Sequence, residues 1–308
     1  MFALVFPGQG SQSVGMLSAS EGAVLHTFSQ ASEVLGYDLW KLISEGPEAQ
    51  LNSTEFTQPA LLCTSIALHR LWRERHGAEP ACLAGHSLGE YSALVAGGAL
   101  DFEDAVHLVQ LRGRLMQQSL GEGEGAMAAI LGLEAEVIGD FCRQAGGAVV
   151  AANLNAPGQT VISGERAAVE AVCALCKQGG ARRALLLPVS VPSHSPLMEP
   201  VRAPFSEAIA GVSLRPASTP IIQNSTAAPH QSSDEIAANL TEQLTAPVRW
   251  VESVGRIQAM GVRSIVEIGP GKVLSGLNRR IAPDLTHLNV SQAGDIDGVV
   301  AALEETHE

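Results

Sequence analysis

Residues 84–93 read AGHSLGEYSA and directly follow the apolar residues Cys82 and Leu83. In this stretch Ser87 stands between Gly85 and Gly89, which fits the pattern G-x-S-x-G. A nucleophilic serine on a tight strand-to-helix turn needs both glycines, because they let neighbouring backbones approach where side chains would clash. A serine that only capped a helix would need neither. The stretch therefore favours a nucleophile over a purely structural turn.

The chain around this turn alternates between strand-like and helix-like segments, which predicts an α/β protein with a largely parallel sheet. A helix is also predicted from Asp101, and another is opened by the capping box Ser232–Glu235. The remaining predicted strands of this part are 2–6, 81–85, 219–224 and 264–268, and its helices are 58–75, 88–96, 197–210 and 248–260.

A different order of elements follows the glycine-rich linker GEGEG at 121–125. The predicted strands there are 126–133, 148–153, 159–163 and 182–190, and the predicted helices are 134–145 and 165–178. The order β-α-β-β-α-β is typical of a ferredoxin-like unit. We therefore expect a large α/β catalytic domain of residues 1–124 and 192–308, a small inserted domain of residues 125–191, and a site in the cleft between them.

Composition and charge exclude several classes of partner. The chain has 308 residues and a net charge of -13, from 32 acidic and 19 basic residues, which argues against nucleic acid or an anionic membrane surface. The N-terminal stretch MFALVFPGQGSQ lacks a basic leader, and no apolar run approaches the roughly 18 residues of a spanning helix. We therefore expect a cytoplasmic protein that binds no membrane.

The five cysteines are scattered through apolar segments, which fits reduced thiols better than a disulfide framework. Cys173 and Cys176 have the spacing of a redox or zinc pair, but they lie within a predicted helix without a second pair or a nearby histidine. Packing inside the helix is the favoured interpretation. We expect neither a metal nor a redox cofactor.

A nucleophilic serine needs a base, and His194 is the favoured histidine. It lies in the loop VPSHSPL after an apolar strand, where the inserted unit returns to the larger one, whereas the other histidines lie on helices, in a strand or in polar loops. His86 adjoins Ser87, but a sharp turn usually aims consecutive side chains apart. No acid stands out as the third member of a triad, so a dyad is expected, with Gln243 or Asn224 holding the imidazole ring.

Two further features point to the same cleft. Arg112 lies in the largely apolar helix LVQLRGRLM, and a buried guanidinium must find an anionic partner, either a structural acid or a substrate carboxylate. Gly8-Gln9-Gly10 follows the first strand directly. Its backbone N–H groups and that of Leu88, at the start of the helix after Ser87, are candidates for an oxyanion hole.

Taken together, these motifs resemble the malonyl-CoA:acyl carrier protein transacylases of bacterial fatty acid synthesis, with the acyltransferase domains of polyketide synthases as relatives. The resemblance covers nearly the whole chain. The matching blocks are FPGQGSQ at 6–12, TQPAL at 57–61, GHSLGEYSAL at 85–94, RGRLMQ at 112–117, GAMAAILGL at 125–133, NAPGQTVISG at 155–164, PVSVPSHSPLM at 188–198 and EIGPGKVLSGL at 267–277.

The resemblance implies a hydrolase-like α/β domain with a ferredoxin-like insertion, and it implies a role for each matching residue. Ser87 is expected to carry the malonyl group and His194 to act as its base, oriented by the backbone or side chain of Gln243. The other implied roles are oxyanion stabilisation by Gln9 and Leu88, a grip on the malonyl carboxylate by Arg112, and further substrate contacts by Met116 and Asn155.

The implied reaction is ping-pong transfer of a malonyl group from malonyl-CoA to holo acyl carrier protein, without a cofactor. The oligomeric state is open, with a monomer as the default expectation. Acyl carrier proteins of this pathway are acidic, so docking is expected to need a basic patch. The densest basic sites outside the Arg112 helix are Arg182, Arg183, Lys272, Arg279 and Arg280, for which ordinary solvated surface charge is the alternative. A serine esterase or thioesterase, an acyltransferase of a polyketide or malonate decarboxylase system, and a binding subunit remain alternatives for the whole protein.

Overall fold

The computed structural model describes residues 1–17, 22–121, 123–189 and 191–305. The strands are β1 (Phe2–Phe6), β2 (Cys82–Gly85), β3 (Gly125–Leu131), β4 (Val149–Ala156), β5 (Gln159–Glu165), β6 (Arg183–Leu186), β7 (Ile221–Ile222), β8 (Pro229–His230), β9 (Ser264–Ile268) and β10 (Thr286–Val290). The α-helices are α1 (Gly22–Leu35), α2 (Leu39–Glu45), α3 (Glu48–Leu51), α4 (Thr54–Arg75), α5 (Gly89–Ala96), α6 (Phe102–Gln118), α7 (Ala135–Ala145), α8 (Arg166–Gln178), α9 (Glu199–Ala210), α10 (Ser233–Glu242), α11 (Trp250–Ala259), α12 (Val273–Ile281) and α13 (Ile296–Glu305). Within these ranges, no helix combines the length and apolar character that crossing a bilayer requires.

The larger sheet has the strand order β10-β9-β1-β2-β7-β8, and all of its pairs are parallel except the last. Its central strand β1 is buried along its whole length. Leu4 and Phe6 belong to the core on one face of the sheet, and Ala3 and Val5 belong to the core on the other. Because successive side chains of a strand point to opposite faces, this fully apolar strand predicts a sheet that is covered on both sides, as observed.

The smaller sheet has the order β4-β5-β3-β6 and is antiparallel throughout. Helices α7 and α8 pack on one face, with Ile138, Ile162 and Val172 in the shared core. This is the predicted ferredoxin-like arrangement, so the predicted fold class is confirmed. The exact division of the chain at residues 124, 125, 191 and 192 stays a prediction.

Several predicted elements differ in length from the observed ones. The predicted strand 182–190 pairs only over Arg183–Leu186, and Leu187 adds one further hydrogen bond from its N–H to the carbonyl oxygen of Met127. Residue 190 lies outside the described residues, as does residue 122 of the predicted linker. The predicted strand 219–224 shortens to Ile221–Ile222. Helix α4 begins at Thr54, four residues before the predicted start, and contains Pro59 in its interior.

The turn after β2 depends on the absence of side chains at two glycines. A Cβ on Gly85 would lie 1.9 Å from the backbone of Gly89, and a Cβ on Gly89 would lie 2.1 Å from the carbonyl oxygen of Phe6. Ser87, between them, has a φ of 52°, a left-handed conformation that non-glycine residues rarely adopt. Close packing of the turn against β1 and α5 holds this conformation in place.

We expect Gly85→Ala to lower the free energy of unfolding by about 3 kcal/mol, because backbone atoms cannot move aside as a flexible side chain can. Gly255→Ala is the matched control. Gly255 is exposed on α11 with open space around its Cα, so alanine there should raise the free energy of unfolding by about 1 kcal/mol. Urea unfolding of both variants measures the difference. Equal stability of the two variants would show that the turn is not closely packed.

Candidate active site

Ser87 lies between β2 and α5, and the side chain of Asn224 fixes its turn. The backbone N–H of Ser87 donates to Asn224 Oδ1 over 2.6 Å, and Asn224 Nδ2 donates to the carbonyl oxygen of Gly85 over 2.6 Å. One amide side chain thus bridges the residues before and after His86. Asn224 was a candidate for holding the imidazole of His194, but the structure places its side chain at the nucleophile turn instead.

His194 lies beside Ser87 in a geometry suited to a general base. Its Nε2 is 2.7 Å from Ser87 Oγ, and its Nδ1 is 2.8 Å from the backbone carbonyl oxygen of Gln243. Because a carbonyl oxygen only accepts hydrogen bonds, Nδ1 must carry the proton and Nε2 must present its lone pair to the serine. Gln243 therefore orients the imidazole through its backbone, one of the two routes that the resemblance implied.

The environment of His194 keeps the imidazole neutral. Burial, together with the positive charge of Arg112, lowers the pKa of His194 to about 3, while the Gln243 carbonyl acts in the opposite direction. A neutral imidazole is the form that can accept a proton. A base with so low a pKa is always available at neutral pH but weak, so its strength depends on the charges around it.

Arg112 is 2% exposed and is held by two neutral amides. Its Nη1 donates to Gln58 Oε1 over 2.9 Å, and its Nη2 donates to Gln243 Oε1 over 3.0 Å. Among the described residues no carboxylate lies within 4.0 Å of the guanidinium, and its Nε donates to no partner. No direct ion pair therefore holds the guanidinium in this part of the chain.

A cleft of about 210 Å³ between the two sheets brings the predicted residues together. Its lining includes the polar residues Gln9, Ser87, Arg112 and His194, together with Leu88. An apolar wall faces them, formed by Met127, Val161, Leu187, Val189 and Val191. The wall comes largely from the face of the smaller sheet that α7 and α8 leave uncovered.

The predicted oxyanion donors lie on this cleft and are available. Within the described ranges, neither the backbone N–H of Gln9 nor that of Leu88 donates a hydrogen bond. Leu88 also occupies the N-cap position of α5, where the helix dipole favours negative charge. Both N–H groups are therefore free to bind an oxyanion that forms on a group attached to Ser87.

The two remaining substrate-binding candidates have different positions. Asn155 lines the cleft, and its Oδ1 lies 2.8 Å from His86 Nε2, so His86 points away from the serine as expected for a sharp turn. Met116 is buried but is not among the described residues that line the cleft. Its sulfur accepts a hydrogen bond from Gln58 over 3.8 Å, which places it behind the amide that holds Arg112.

Sequence reasoning missed Gln58 and Glu90. Gln58 lies in the block TQPAL and Glu90 in the block GHSLGEYSAL. Neither the spacing nor the residue type indicates which buried group each side chain contacts. Glu90 is fully buried, and desolvation is the main reason why its pKa is raised to about 7. The signal in the sequence is that Glu90 is the only charged residue of the otherwise uncharged helix GEYSALVA, which begins directly after the nucleophile turn.

The predicted docking residues are exposed: Arg182, Arg183, Lys272, Arg279 and Arg280. Arg280 Nη2 donates to the carbonyl oxygen of Pro157 over 2.6 Å, in the turn between β4 and β5. Gly158 of the same turn accepts a hydrogen bond from Gly132, against which the side chain of Arg182 packs. The β4–β5 turn therefore lies between Arg182 and Arg280, while Lys272 stands at the other end of α12 from Arg280.

The cysteine pair lies in the core of the smaller sheet. Cys173 and Cys176 are buried there together with Cys142, and burial raises the pKa of each thiol. In the part of the chain that the structure describes, no three His, Cys, Asp or Glu side chains are grouped as metal ligands would be.

We expect the reactivity of Ser87 toward a neutral fluorophosphonate to show no step near pH 6.5 between pH 8 and pH 5. Since a base acts only when unprotonated, and the pKa of His194 is lowered to about 3, the imidazole stays available across this range. The rate constant of covalent labelling measures it. His194→Ala should lower that rate by about 10²- to 10⁴-fold, whereas an activity loss centred at pH 6.5 would mean that His194 titrates normally.

Comparisons with known proteins identify the family of this chain. Residues 3–282 match the family model described as the acyl transferase domain. A malonyl CoA-acyl carrier protein transacylase of Haemophilus influenzae is 49% identical over 304 residues, which are 97% of each chain. A crystal structure of an acyl carrier protein S-malonyltransferase from Vibrio cholerae superposes with a TM-score of 0.94 at 49% identity, covering 97% of this chain and 99% of that one.

A further solved structure shows a malonyl-transacylase in complex with its type II PKS acyl-carrier protein. It superposes with a TM-score of 0.96 at 46% identity and covers 98% of this chain and 99% of that one. In each of these comparisons the match covers nearly the full length of both chains. The chain therefore belongs to the acyl transferase family and, within it, to the malonyl CoA-acyl carrier protein transacylases.

Proposed function

We propose that this protein transfers the malonyl group of malonyl-CoA to the phosphopantetheine thiol of holo acyl carrier protein, and so supplies malonyl carriers for fatty acid synthesis. One observation carries the proposal. The buried guanidinium of Arg112 has no carboxylate within 4.0 Å among the described residues, and it shares a cleft with the hydrogen-bonded pair Ser87 and His194. The names of the relatives support the same activity.

The first half-reaction forms an ester on Ser87. The serine hydroxyl gives its proton to His194 Nε2 while Oγ attacks the thioester carbonyl carbon of malonyl-CoA. The N–H groups of Gln9 and Leu88 bind the resulting oxyanion. When the tetrahedral intermediate collapses, the carbon–sulfur bond breaks, the proton passes from His194 to the sulfur, and CoA leaves as the thiol.

The second half-reaction returns the enzyme to its starting state. The phosphopantetheine thiol gives its proton to His194 and attacks the malonyl ester, and the serine oxygen leaves and regains the proton from the imidazolium. Each step moves only an acyl group and a proton, so these residues suffice without a metal or redox cofactor. The sequence of acylation and deacylation is a ping-pong mechanism.

Arg112 contributes twice to this scheme. Its planar fork can bind the malonyl carboxylate, which would supply the anion that the buried charge lacks. Its positive charge also lowers the pKa of His194. An anion beside Arg112 offsets that effect.

A hydrolase would use the same serine and histidine, but it has no need for a buried cation in the acyl pocket. The cleft also presents a wall of apolar side chains opposite the catalytic pair, which limits the access of water to the ester. Transferases of polyketide or malonate decarboxylase systems share this chemistry and differ in the carrier. We place the enzyme in the cytoplasm, and a monomer is the default expectation.

The exposed arginines around the β4–β5 turn are the proposed docking site for the carrier protein. Arg182 and Arg280 lie on either side of the turn, with Arg183 and Arg279 next to them in the chain. Such a cluster gives an otherwise acidic protein a local positive surface for an acidic partner.

Arg182→Glu with Arg183→Glu should raise the carrier-protein KM several-fold while leaving the malonyl-CoA KM unchanged, since rim charges act mainly on encounter. Steady-state kinetics with each substrate varied in turn measures this. Arg143→Glu, an exposed arginine on α7, is the control. Equal increases in the KM for carrier protein and the KM for malonyl-CoA would show that this surface is not the docking site.

We expect Arg112→Met to lower malonyl transfer to holo carrier protein by on the order of 10²-fold, because the carboxylate loses its charged partner. Methionine keeps most of the buried volume, so folding should be preserved. Acetyl transfer should fall much less, and the malonyl-to-acetyl ratio of kcat/KM measures the change.

The wild-type enzyme provides the test against hydrolysis. CoA release from malonyl-CoA in the steady state should require holo carrier protein, because water is a poor second acceptor. Release of CoA at the same rate without carrier protein would favour an esterase. An unchanged malonyl-to-acetyl ratio of kcat/KM in Arg112→Met would show that Arg112 does not bind the malonyl carboxylate.

A further inference from the structure

Glu90 is a fully buried carboxylate that the mechanism above does not use. It lies on α5, three residues after Ser87, and its Oε2 accepts the backbone N–H of Asn224 over 2.8 Å. Its Oε1 has no hydrogen-bond partner among the described residues. A buried anion with one oxygen unpaired is costly unless a positive charge lies nearby.

The nearby positive charge is Arg112 on α6, whose guanidinium carbon lies 5.6 Å from the ring centroid of Tyr91, the residue that follows Glu90. The attraction between the two groups opposes the effect of burial on both pKa values, lowering that of Glu90 and raising that of Arg112. They make no contact within 4.0 Å, and the side-chain amide of Gln243, which accepts from Arg112, also favours the ionised form of Glu90. Tyr91 is the other titratable neighbour of the pair, and His194 faces Arg112.

We propose that Glu90 is the internal counter-ion of Arg112 and that binding of a malonyl carboxylate replaces it, with Glu90 taking up a proton from solvent as the substrate binds. Glu90 acts through Arg112 and is therefore a positioning residue for malonyl recognition. The inference rests on the proposed function, because it assumes that the substrate carboxylate binds at Arg112.

The physical reason is that two anions compete for one buried cation. Before binding, Glu90 and Arg112 balance each other without an ion-pair contact, which leaves the guanidinium open to the cleft. A substrate carboxylate adds a second negative charge and further disfavours the ionised form of Glu90. Because burial already raises the pKa of Glu90 to about 7, the proton uptake falls in the working range of pH.

The sign of the pH dependence follows. Below pH 7 Glu90 is largely protonated before binding, so malonyl-CoA meets an unopposed Arg112. Above pH 7 Glu90 is largely ionised, and binding requires a proton from solvent. Malonyl-CoA affinity should therefore fall as pH rises through 7 and above, whereas acetyl-CoA affinity should not.

The proton uptake is measured on the Ser87→Ala variant, which binds acyl-CoA without reacting. Calorimetric titration with malonyl-CoA at pH 8, in two buffers of different ionisation enthalpy, gives the number of protons taken up. Acetyl-CoA is the matched ligand because it carries the same phosphates without the carboxylate. We expect a substantial fraction of one proton more for malonyl-CoA than for acetyl-CoA.

The Glu90→Gln variant tests the same idea in the active enzyme. Glutamine keeps an acceptor for the Asn224 N–H and removes the charge, so the malonyl-CoA KM at pH 8 should fall by about tenfold, the change expected from a coupling of one pKa unit. The acetyl-CoA KM should stay as in the wild type, and the pH dependence of the malonyl-CoA KM should disappear. Glu267→Gln, a buried carboxylate on β9 away from the cleft, is the control and should leave both KM values unchanged.

The outcomes separate this inference from the proposed function. Equal proton uptake with the two ligands, or parallel changes of both KM values in Glu90→Gln, would overturn the counter-ion role while malonyl transfer by the wild type continued. If Glu90→Gln fails to fold, the calorimetric result decides alone, because it uses the native Glu90. Failure of the wild type to transfer malonyl groups would refute both proposals.

Discussion

The guanidinium of Arg112 is buried against two neutral amide oxygens, and the rest of the site depends on this partly uncompensated charge. A charge in such a place is costly, so the site gains free energy when an anion binds there. The same charge lowers the pKa of His194, which keeps the imidazole neutral beside Ser87. Substrate recognition and the state of the base therefore have one electrostatic origin.

Gln243 connects these groups. Its backbone carbonyl oxygen accepts from His194, its Oε1 accepts from Arg112, and its Nε2 donates to the carbonyl oxygen of Ser87 over 3.1 Å. This explains why the site can do without the acid of a triad. The carbonyl dipole of Gln243 fixes the tautomer of His194 without adding a further negative charge to the site.

The sequence predicted those parts of the structure that local chemistry determines. A few neighbouring residues are enough to recognise the glycines around Ser87, the loop of His194 and the apolar surroundings of Arg112. The partners of Gln58, Glu90 and Asn224 could not be predicted in this way, since the contacts join segments far apart in the chain and any buried amide or carboxylate could meet several groups.

The central claim is that an activated serine and a buried guanidinium act on one acyl group. Its most direct test is intact-protein mass spectrometry after brief exposure of the wild type to an equimolar mixture of malonyl-CoA and acetyl-CoA, with peptide mapping of the adduct. We predict a malonyl ester on Ser87 in large excess over acetyl. An acetyl adduct in equal or greater amount, or a malonyl adduct at another residue, would contradict the claim.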